Sequence, residues 1–182
     1  MYNGGILDAR GEMPAPEDTA GIKRKLTDER AKLFESFANL PRETLLRPFG
    51  GEGWSIKDLL AHVAMAEAVN VKFAKIMVSK DAPQQLKELA ADYPELHGEF
   101  ELDKFNAWMT ERWRAKSLEQ VVTALNEARA DTLAWLDTLT QAQLERNGEH
   151  AAWGNLTVKG VFRILVIHDK FHRADIEKRK TS

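Results

Sequence analysis

The chain has 182 residues, which is enough for one domain with a sizeable hydrophobic core. Hydrophobic residues make up 43% of the chain and charged residues 30%, which excludes wholesale disorder. The formal net charge of −2 gives no electrostatic attraction to nucleic acid or to an anionic membrane, so we expect neither as a partner. No apolar stretch approaches the ~18 residues that a membrane-spanning helix needs. Because the chain has no cysteine, disulfides and thiolate ligands are excluded, and a cytoplasmic location is expected.

The spacing of apolar residues predicts an N-terminal arm followed by one all-α domain. Residues 1–17 combine prolines and glycines without periodicity, which is typical of an arm, and residues 18–182 form the domain. Apolar residues then recur with the helical period in four stretches, which predicts a four-helix bundle. The predicted helices cover about residues 18–39, 56–79, 101–138 and 158–178.

Capping residues set several of these boundaries. Ser55 is the expected N-cap of the second helix, and Thr157 is the expected N-cap of the fourth. Ser117 and Gln120 have the spacing of a capping box inside the third stretch. We therefore expect a break or a kink near residues 115–117.

The connections between the predicted helices are polar. Residues 80–100 form a long crossing, with a short helix predicted around 84–91, and residues 139–156 form a second connection. We find no alternating strand pattern and no internal repeat. The length of the first crossing permits a topology other than simple up-down-up-down.

Two histidines on the fourth helix, His168 and His172, are the most informative residues for function. Since an α-helix turns ~100° per residue, residues four apart differ by ~40° and lie on one face. Measured from Val161, Leu165 falls near ~40°, His168 near ~340° and His172 near ~20°. Both imidazoles therefore lie in the middle of the apolar stripe. Two polar imidazoles in an apolar helix interface need hydrogen-bonding or coordinating partners, and a shared metal would satisfy both.

His62 is the third candidate ligand. It lies within the apolar arc of the second helix, near the N-terminal end of that helix. If the second and fourth helices are antiparallel, the three rings meet at one end of the bundle. Three neutral imidazoles with an open position form a site for a catalytic divalent metal, which can lower the pKa of a water or a thiol. The competing interpretation is that each histidine is an ordinary hydrogen-bonded residue of the core or surface.

Three acidic residues are weaker candidates. Asp169 and Asp175 are possible acceptors for an imidazole N–H behind the metal. The alternative for both is a solvated acid on the rim of the bundle, which we favour for Asp169. Glu67 lies inside the apolar arc of the second helix, so it is either a general base or a buried hydrogen-bonding group. Its direction differs by ~140° from that of His62, which argues against shared metal ligation.

Aromatic residues and further histidines lie in the connections. Trp54 and Trp153 precede the two histidine-bearing helices and are candidates for walls of a pocket, although core packing is the simpler interpretation. His97 and His150 are expected to be exposed, with His150 able to reach the site as a mobile acid or base.

Several segments resemble motifs of the DinB/YfiT-like superfamily. Trp54–Val63 (WSIKDLLAHV) is similar to that family's second-helix motif, and Thr157–Ile176 is similar to its fourth-helix motif. Asp103–Asn106 and Ser117–Val121 also fit the third helix of the family. The likeness covers about residues 20–178, so it leaves out only the arm.

The resemblance implies a bundle of up-down-down-up topology, often dimeric, with a divalent metal on a histidine triad. The triad maps onto His62, His168 and His172. Zinc or nickel is the expected metal, with iron or manganese as alternatives. The resemblance also implies a homodimer that acts on a small-molecule substrate.

The family includes thiol-dependent S-transferases and isomerases. The resemblance therefore implies a metal-dependent enzyme in which the metal activates a low-molecular-weight thiol for attack on an electrophile. A metallohydrolase, which would activate water instead, is the nearest alternative. A non-catalytic module that binds a metal or small molecule or gives protection from a toxic one, and a purely structural bundle, also remain open.

Overall fold

A computed structural model describes residues 19–49, 53–93 and 101–180, and the predicted arm lies outside them. The framework consists of four long helices, α1 (Thr19–Phe37), α3 (Ile56–Ser79), α5 (Leu118–Leu136) and α7 (Val158–Lys180). Shorter elements connect them: α2 (Arg42–Leu46), β1 (Gln84–Gln85), a 3₁₀ helix (Leu86–Asp92), α4 (Leu102–Arg114), α6 (Gln141–Leu144), β2 (Asn147–His150) and β3 (Gly154–Thr157). Within the three described stretches, no helix combines the length and apolar character needed to cross a bilayer.

The four long helices form a bundle of up-down-down-up topology, as the resemblance implies. α1 packs against α7, and α3 packs against both α5 and α7. Two hydrophobic clusters, one at each end of the bundle, show the helix directions. The strand-end cluster includes Leu26, Phe73, Leu136 and Phe162, and the histidine-end cluster includes Leu33, Leu60, Leu125 and Ile176. The chain passes from the first cluster to the second along α1 and α7, and in the reverse direction along α3 and α5. α3 and α7 are therefore antiparallel.

The predicted caps begin the long helices. Ser55 accepts a hydrogen bond from the backbone N–H of Asp58, whose carboxylate accepts the backbone N–H of Ser55 in return. Ser117 and Gln120 form the same reciprocal box at the start of α5. Thr157 Oγ1 accepts the backbone N–H three residues later at 3.0 Å. These bonds satisfy N–H groups that a helix start would otherwise leave without partners.

The third predicted helix proves to be two antiparallel helices, α4 and α5. Phe105, near the start of α4, lies in the strand-end cluster, whereas Trp113, near its end, packs against the histidine-end cluster. The backbone of Ser117 is extended, with φ of −68° and ψ of 161°, so the chain reverses at this cap instead of kinking. α4 packs against α3 and returns the chain to the histidine end. This return allows α5 to run parallel to α3.

A small sheet lies at the strand end of the bundle, although the sequence has no alternating pattern that predicts strands. β2 and β3 pair as an antiparallel hairpin, and β1 pairs in parallel with β2. Gly154 has a φ of 66°, which glycine adopts without steric cost, directly after the hairpin turn. A Cβ on Gly148 would lie 2.8 Å from the Phe73 side chain and 2.9 Å from the Gln84 carbonyl oxygen, so the sheet packs closely on α3. These short, polar strands lack the apolar alternation by which strands are recognised.

Candidate metal centre

Three imidazoles, those of His62, His168 and His172, converge between α3 and α7. Nε2 of His168 lies 3.1 Å from Nε2 of His62 and 3.1 Å from Nε2 of His172. One nitrogen from each of the three rings lies within 4.8 Å of the other two. His62 is buried, and the His172 side chain is 15% exposed. The antiparallel arrangement of α3 and α7 thus brings the three predicted residues together at the histidine end of the bundle.

The spacing of the three nitrogens fits a divalent metal. Nitrogens that bind zinc in a tetrahedral site lie ~2.0–2.1 Å from the ion and therefore about 3.3–3.4 Å from one another. The two 3.1 Å separations are close to this value. Three protein ligands leave a fourth position for a substrate or a water, which is the pattern of a catalytic site.

The hydrogen-bonding capacity of His62, His168 and His172, which we call the trio, also favours a bound metal. A neutral imidazole has one N–H and one nitrogen with a lone pair. Nε2 of His168 faces two other Nε2 atoms, so it can take part in only one N–H···N bond at a time. The second contact then lacks either a proton or a lone pair. Because buried polar atoms are normally satisfied, a cation that accepts all three lone pairs is a fitting partner.

Burial keeps the three rings neutral. It lowers the pKa of His62 to about 4, with a smaller contribution from repulsion by His172. Burial also holds the pKa of His168 well below its usual range, and the charges of His172, His62 and Arg30 act in the same direction. The pKa of His172 is lowered by burial, against an opposing effect of Asp175. Neutral rings have free lone pairs at pH 7, as metal ligation requires.

Next to the trio, four buried charged residues form a closed network that we call the charged quartet. Arg30, Glu67, Arg129 and Asp169 come from α1, α3, α5 and α7, and each is at most 5% exposed. Glu67 accepts from Nε of Arg129 at 2.8 Å and from Nη2 of Arg30 at 2.5 Å. Asp169 accepts from Nη2 of Arg30 at 3.0 Å and from Nη2 of Arg129 at 3.1 Å. Each guanidinium makes a second bond to one of these carboxylates and one bond to a backbone carbonyl, of α5 for Arg30 and of α1 for Arg129. The two positive and two negative charges balance.

Comparison with known protein families places the chain among relatives of the same architecture. A model of the DinB superfamily matches residues 25–176, which is most of the sequence. The chain belongs to the DinB superfamily. No curated protein matches the chain in sequence at a significant level.

Two solved structures share this DinB fold. YfiT from Bacillus subtilis, described as a probable metal-dependent hydrolase with an unusual four-helix bundle topology, superposes with a TM-score of 0.69 at 20% identity. The match covers 93% of this chain and 90% of YfiT. An uncharacterized protein from Clostridium difficile 630 superposes with a TM-score of 0.68 at 16% identity, over 92% of this chain and 98% of that one. At these identities the likeness establishes the fold.

Two of the predicted neighbours lie beside the three histidines. Oδ2 of Asp175 is 3.3 Å from Nδ1 of His172 but lacks hydrogen-bond geometry, so this buried Nδ1 has no hydrogen-bond partner. A small rotation would complete an N–H···O bond, the arrangement that orients many metal-binding histidines. The Trp54 ring is centred 5.2 Å from the ring of His62 and forms one wall of the site.

The other two acids belong to the charged quartet. Glu67 is a buried hydrogen-bonding group, one of its two predicted roles, and both of its oxygens accept from arginines. The expectation that Asp169 is a solvated acid on the rim was wrong, because Asp169 is 1% exposed. α7 packs against both α1 and α3, so it buries a wider arc than one apolar stripe. The hydrogen bonds to Asp169 come from Arg30 and Arg129, not from an imidazole.

His150 is buried, contrary to the expectation that it is exposed and mobile. Its Nε2 lies 3.1 Å from Oδ1 of Asn70, and its Nδ1 accepts the backbone N–H of Ala152 at 3.0 Å. It therefore fastens the sheet to α3, about 12 Å along that helix from His62. Trp153 is 48% exposed at the hairpin turn, and the structure shows no contact between it and the trio. His97 lies outside the described residues.

The two arginines of the charged quartet were not predicted from the sequence. The helical phase held the signal, because Arg30 lies ~80° from Ile22, close to Phe37 at ~60°, within the apolar arc of α1. Arg129 likewise lies on the buried face of α5. A long side chain on such an arc can also carry its charge out to solvent, so phase alone does not identify a buried arginine.

Proposed function

We propose that this chain is a divalent-metal-dependent enzyme that acts on an electrophilic small molecule. His62, His168 and His172 would hold the metal, with zinc or nickel as the first candidates and iron or manganese as the next. The observation that carries the proposal is the convergence of the three Nε2 atoms at metal-ligand spacing. The neutrality of the buried rings and the absence of a proton arrangement that satisfies all three support the same conclusion.

A divalent metal held there would supply a Lewis acid that lowers the pKa of a thiol or water at its open position. The chain's own residues prepare that position. Asp175 is placed to orient the ring of His172, and Trp54 covers one side of His62. The two carboxylates of the charged quartet are not free to act at the metal, because Glu67 and Asp169 are both engaged by arginines.

The reaction that we favour is transfer to or from a low-molecular-weight thiol, as the family resemblance implies. Three imidazoles carry no charge, so a bound dication keeps its attraction for an anionic ligand such as a thiolate. Hydrolysis of an ester or amide is the second candidate, and the description of YfiT as a probable metal-dependent hydrolase supports it. A non-catalytic module that binds a metal or small molecule is the third.

Metal analysis of protein purified without a histidine tag tests the proposal. We expect about one equivalent of a divalent metal per chain, or uptake of one equivalent of zinc or nickel by the stripped protein. Alanine at His62 should abolish uptake, and alanine at the distant His150 should leave it intact. A wild-type protein that takes up none of zinc, nickel, iron or manganese would overturn the proposal.

A second experiment separates the two reactions. Metal-loaded protein is incubated with a panel of electrophiles and esters, with and without low-molecular-weight thiols. Consumption of an electrophile only when thiol is present supports transfer. Turnover of esters or amides at the same rate without thiol supports hydrolysis and counts against transfer.

A further inference from the structure

The charged quartet divides the interior of the bundle into two apolar parts. On α1, Arg30 lies between Leu26 of the strand-end cluster and Leu33 of the histidine-end cluster. Each of the other three quartet residues likewise falls between residues of the two clusters on its own helix. The quartet is therefore a polar layer across the middle of the bundle, with one residue from each long helix.

We propose that the charged quartet is a positioning device for the metal ligands, because it sets the axial offset between α3 and α7. This inference rests on the metal centre proposed above. Asp169 directly follows His168 in α7, and Glu67 lies five residues, or about 7.5 Å, beyond His62 in α3. Each of these two carboxylates bonds to both guanidinium groups. The two helices that bear the histidines are thus joined through charges close to the histidines themselves.

The quartet fixes the axial offset between α3 and α7 more sharply than apolar packing does, because its hydrogen bonds tolerate less displacement. A one-residue slip of α3 along α7 displaces atoms by about 1.5 Å. Such a slip would stretch the bonds of Glu67 to Arg30 and Arg129, now 2.5–3.1 Å, towards or beyond hydrogen-bonding range. A metal site needs its ligands placed within about 0.5 Å. The energy of an apolar contact is less sensitive to a small displacement than that of a hydrogen bond, because apolar contacts are not directional.

Stability alone is a weaker explanation for the quartet. Four ionised groups lose their hydration on burial, and well-packed apolar residues at such positions often give equal or greater stability. A buried polar group that fixes the register of packed helices is the better-established role for such a layer.

The matching positions of the quartet in the two halves of the chain provide independent support. The buried positions Ile22, Leu26, Arg30, Leu33 and Phe37 have the same spacing as Val121, Leu125, Arg129, Thr132 and Leu136. Glu67 lies twelve residues after the cap Ser55, and Asp169 lies twelve residues after the cap Thr157. The match is one of spacing and burial, not of residue identity, so the sequence itself shows no repeat. Each half contributes one arginine and one acid at equivalent heights.

The test is a charge-balanced double variant, Glu67→Met with Arg129→Met. It removes the α3–α5 pair and leaves Arg30 bonded to Asp169. The matched control is Arg42→Met with Glu119→Met, which removes an exposed arginine–glutamate pair. The readouts are cobalt affinity by chelator competition and the visible spectrum of the cobalt-loaded protein, with helicity followed by circular dichroism. We expect cobalt binding at least tenfold weaker and an altered spectrum in the folded double variant, and neither change in the control.

A metal-free readout separates this inference from the proposed function. The chain has no cysteine, so Ala68→Cys on α3 and Lys170→Cys on α7, both exposed positions, give one clean pair of spin labels. Adding the quartet variant should shift or broaden the distance between the labels. If wild-type protein binds neither cobalt nor any of zinc, nickel, iron and manganese, the metal centre is wrong, and the label distance still decides whether the quartet sets the offset.

A folded double variant with cobalt affinity within twofold of wild type, an unchanged spectrum and an unchanged label distance would overturn the inference. If the double variant does not fold, Arg129→Lys tests the inference instead, because it keeps the positive charge and loses the bidentate hydrogen bonding to Glu67. We then expect a partial shift in the same three measurements. No shift in any of them would again count against a positioning role.

Discussion

Replacement of His62 by alanine should separate the metal-linked part of the stability from the remainder. His62 is the ligand that α3 contributes, whereas α7 contributes the other two. A metal that binds only the folded state stabilises it by about 2.7 kcal/mol when its free concentration is a hundredfold above Kd. In a chain of 182 residues this corresponds to a rise in Tm of about 5–11 °C. His62→Ala should lose most of that rise at the same metal concentration.

The metal-free form of His62→Ala should change little. Loss of the contact with the Trp54 ring is destabilising. Removal of an imidazole whose Nε2 competes for His168 is stabilising. We expect the two effects to leave a net change within about 2 kcal/mol. The variant therefore differs from wild type mainly in its response to added metal, which thermal unfolding with and without zinc or nickel measures directly.

His150→Ala is the matched control, because it also removes a buried imidazole. Its loss leaves Oδ1 of Asn70 and the N–H of Ala152 without partners, which should cost about 1–3 kcal/mol in metal-free protein. Its metal-dependent rise in Tm should equal that of wild type, because His150 lies far from the trio. A full metal-dependent rise in His62→Ala would refute the triad, and so would its loss in both variants.

Three further outcomes are expected. Asp175→Asn should weaken metal binding about tenfold in chelator competition, because it removes the charge that faces Nδ1 of His172. Cobalt or nickel should quench tryptophan fluorescence in wild type, and Trp54→Phe should remove most of the quenching, since this ring lies beside the trio. Metal-free protein should lose stability as pH falls from 6.5 to about 4. Burial lowers the pKa of His150 to about 4, so in this range the unfolded chain binds a proton at His150 and the folded chain does not. His150→Gln should flatten that pH dependence in denaturant titrations by on the order of 3 kcal/mol.

The helices and the trio could be predicted because their signals are local. Capping residues and the helical period located the starts of α3, α5 and α7. The phase of His168 and His172 placed both rings on the buried face before any contact was known. The partner residue His62 needed one further assumption, that α3 and α7 are antiparallel, and the family resemblance supplied the topology.

The parts that were not predicted depend on contacts distant in sequence. β1 pairs with β2 across about sixty residues, and neither strand has enough apolar side chains to signal its presence. The reversal between α4 and α5 depends on α4 packing against α3, which a capping box alone does not specify. His150 is buried because the hairpin brings it to Asn70. In each case the position of a polar segment is determined by contacts with residues distant in sequence.

The charged quartet also bears on the chemistry of the trio. Glu67 and Asp169 are buried acids on the two helices that carry the imidazoles, and both are engaged by Arg30 and Arg129. A metal on the trio would have three neutral ligands, with the Asp175 carboxylate 3.3 Å from Nδ1 of His172. Such a dication attracts an anion to its open position and lowers the pKa of the group that binds there. Freeing one carboxylate, as in Arg129→Met alone, should reduce that effect and raise the pKa of the bound thiol or water, which the pH profile of turnover would detect.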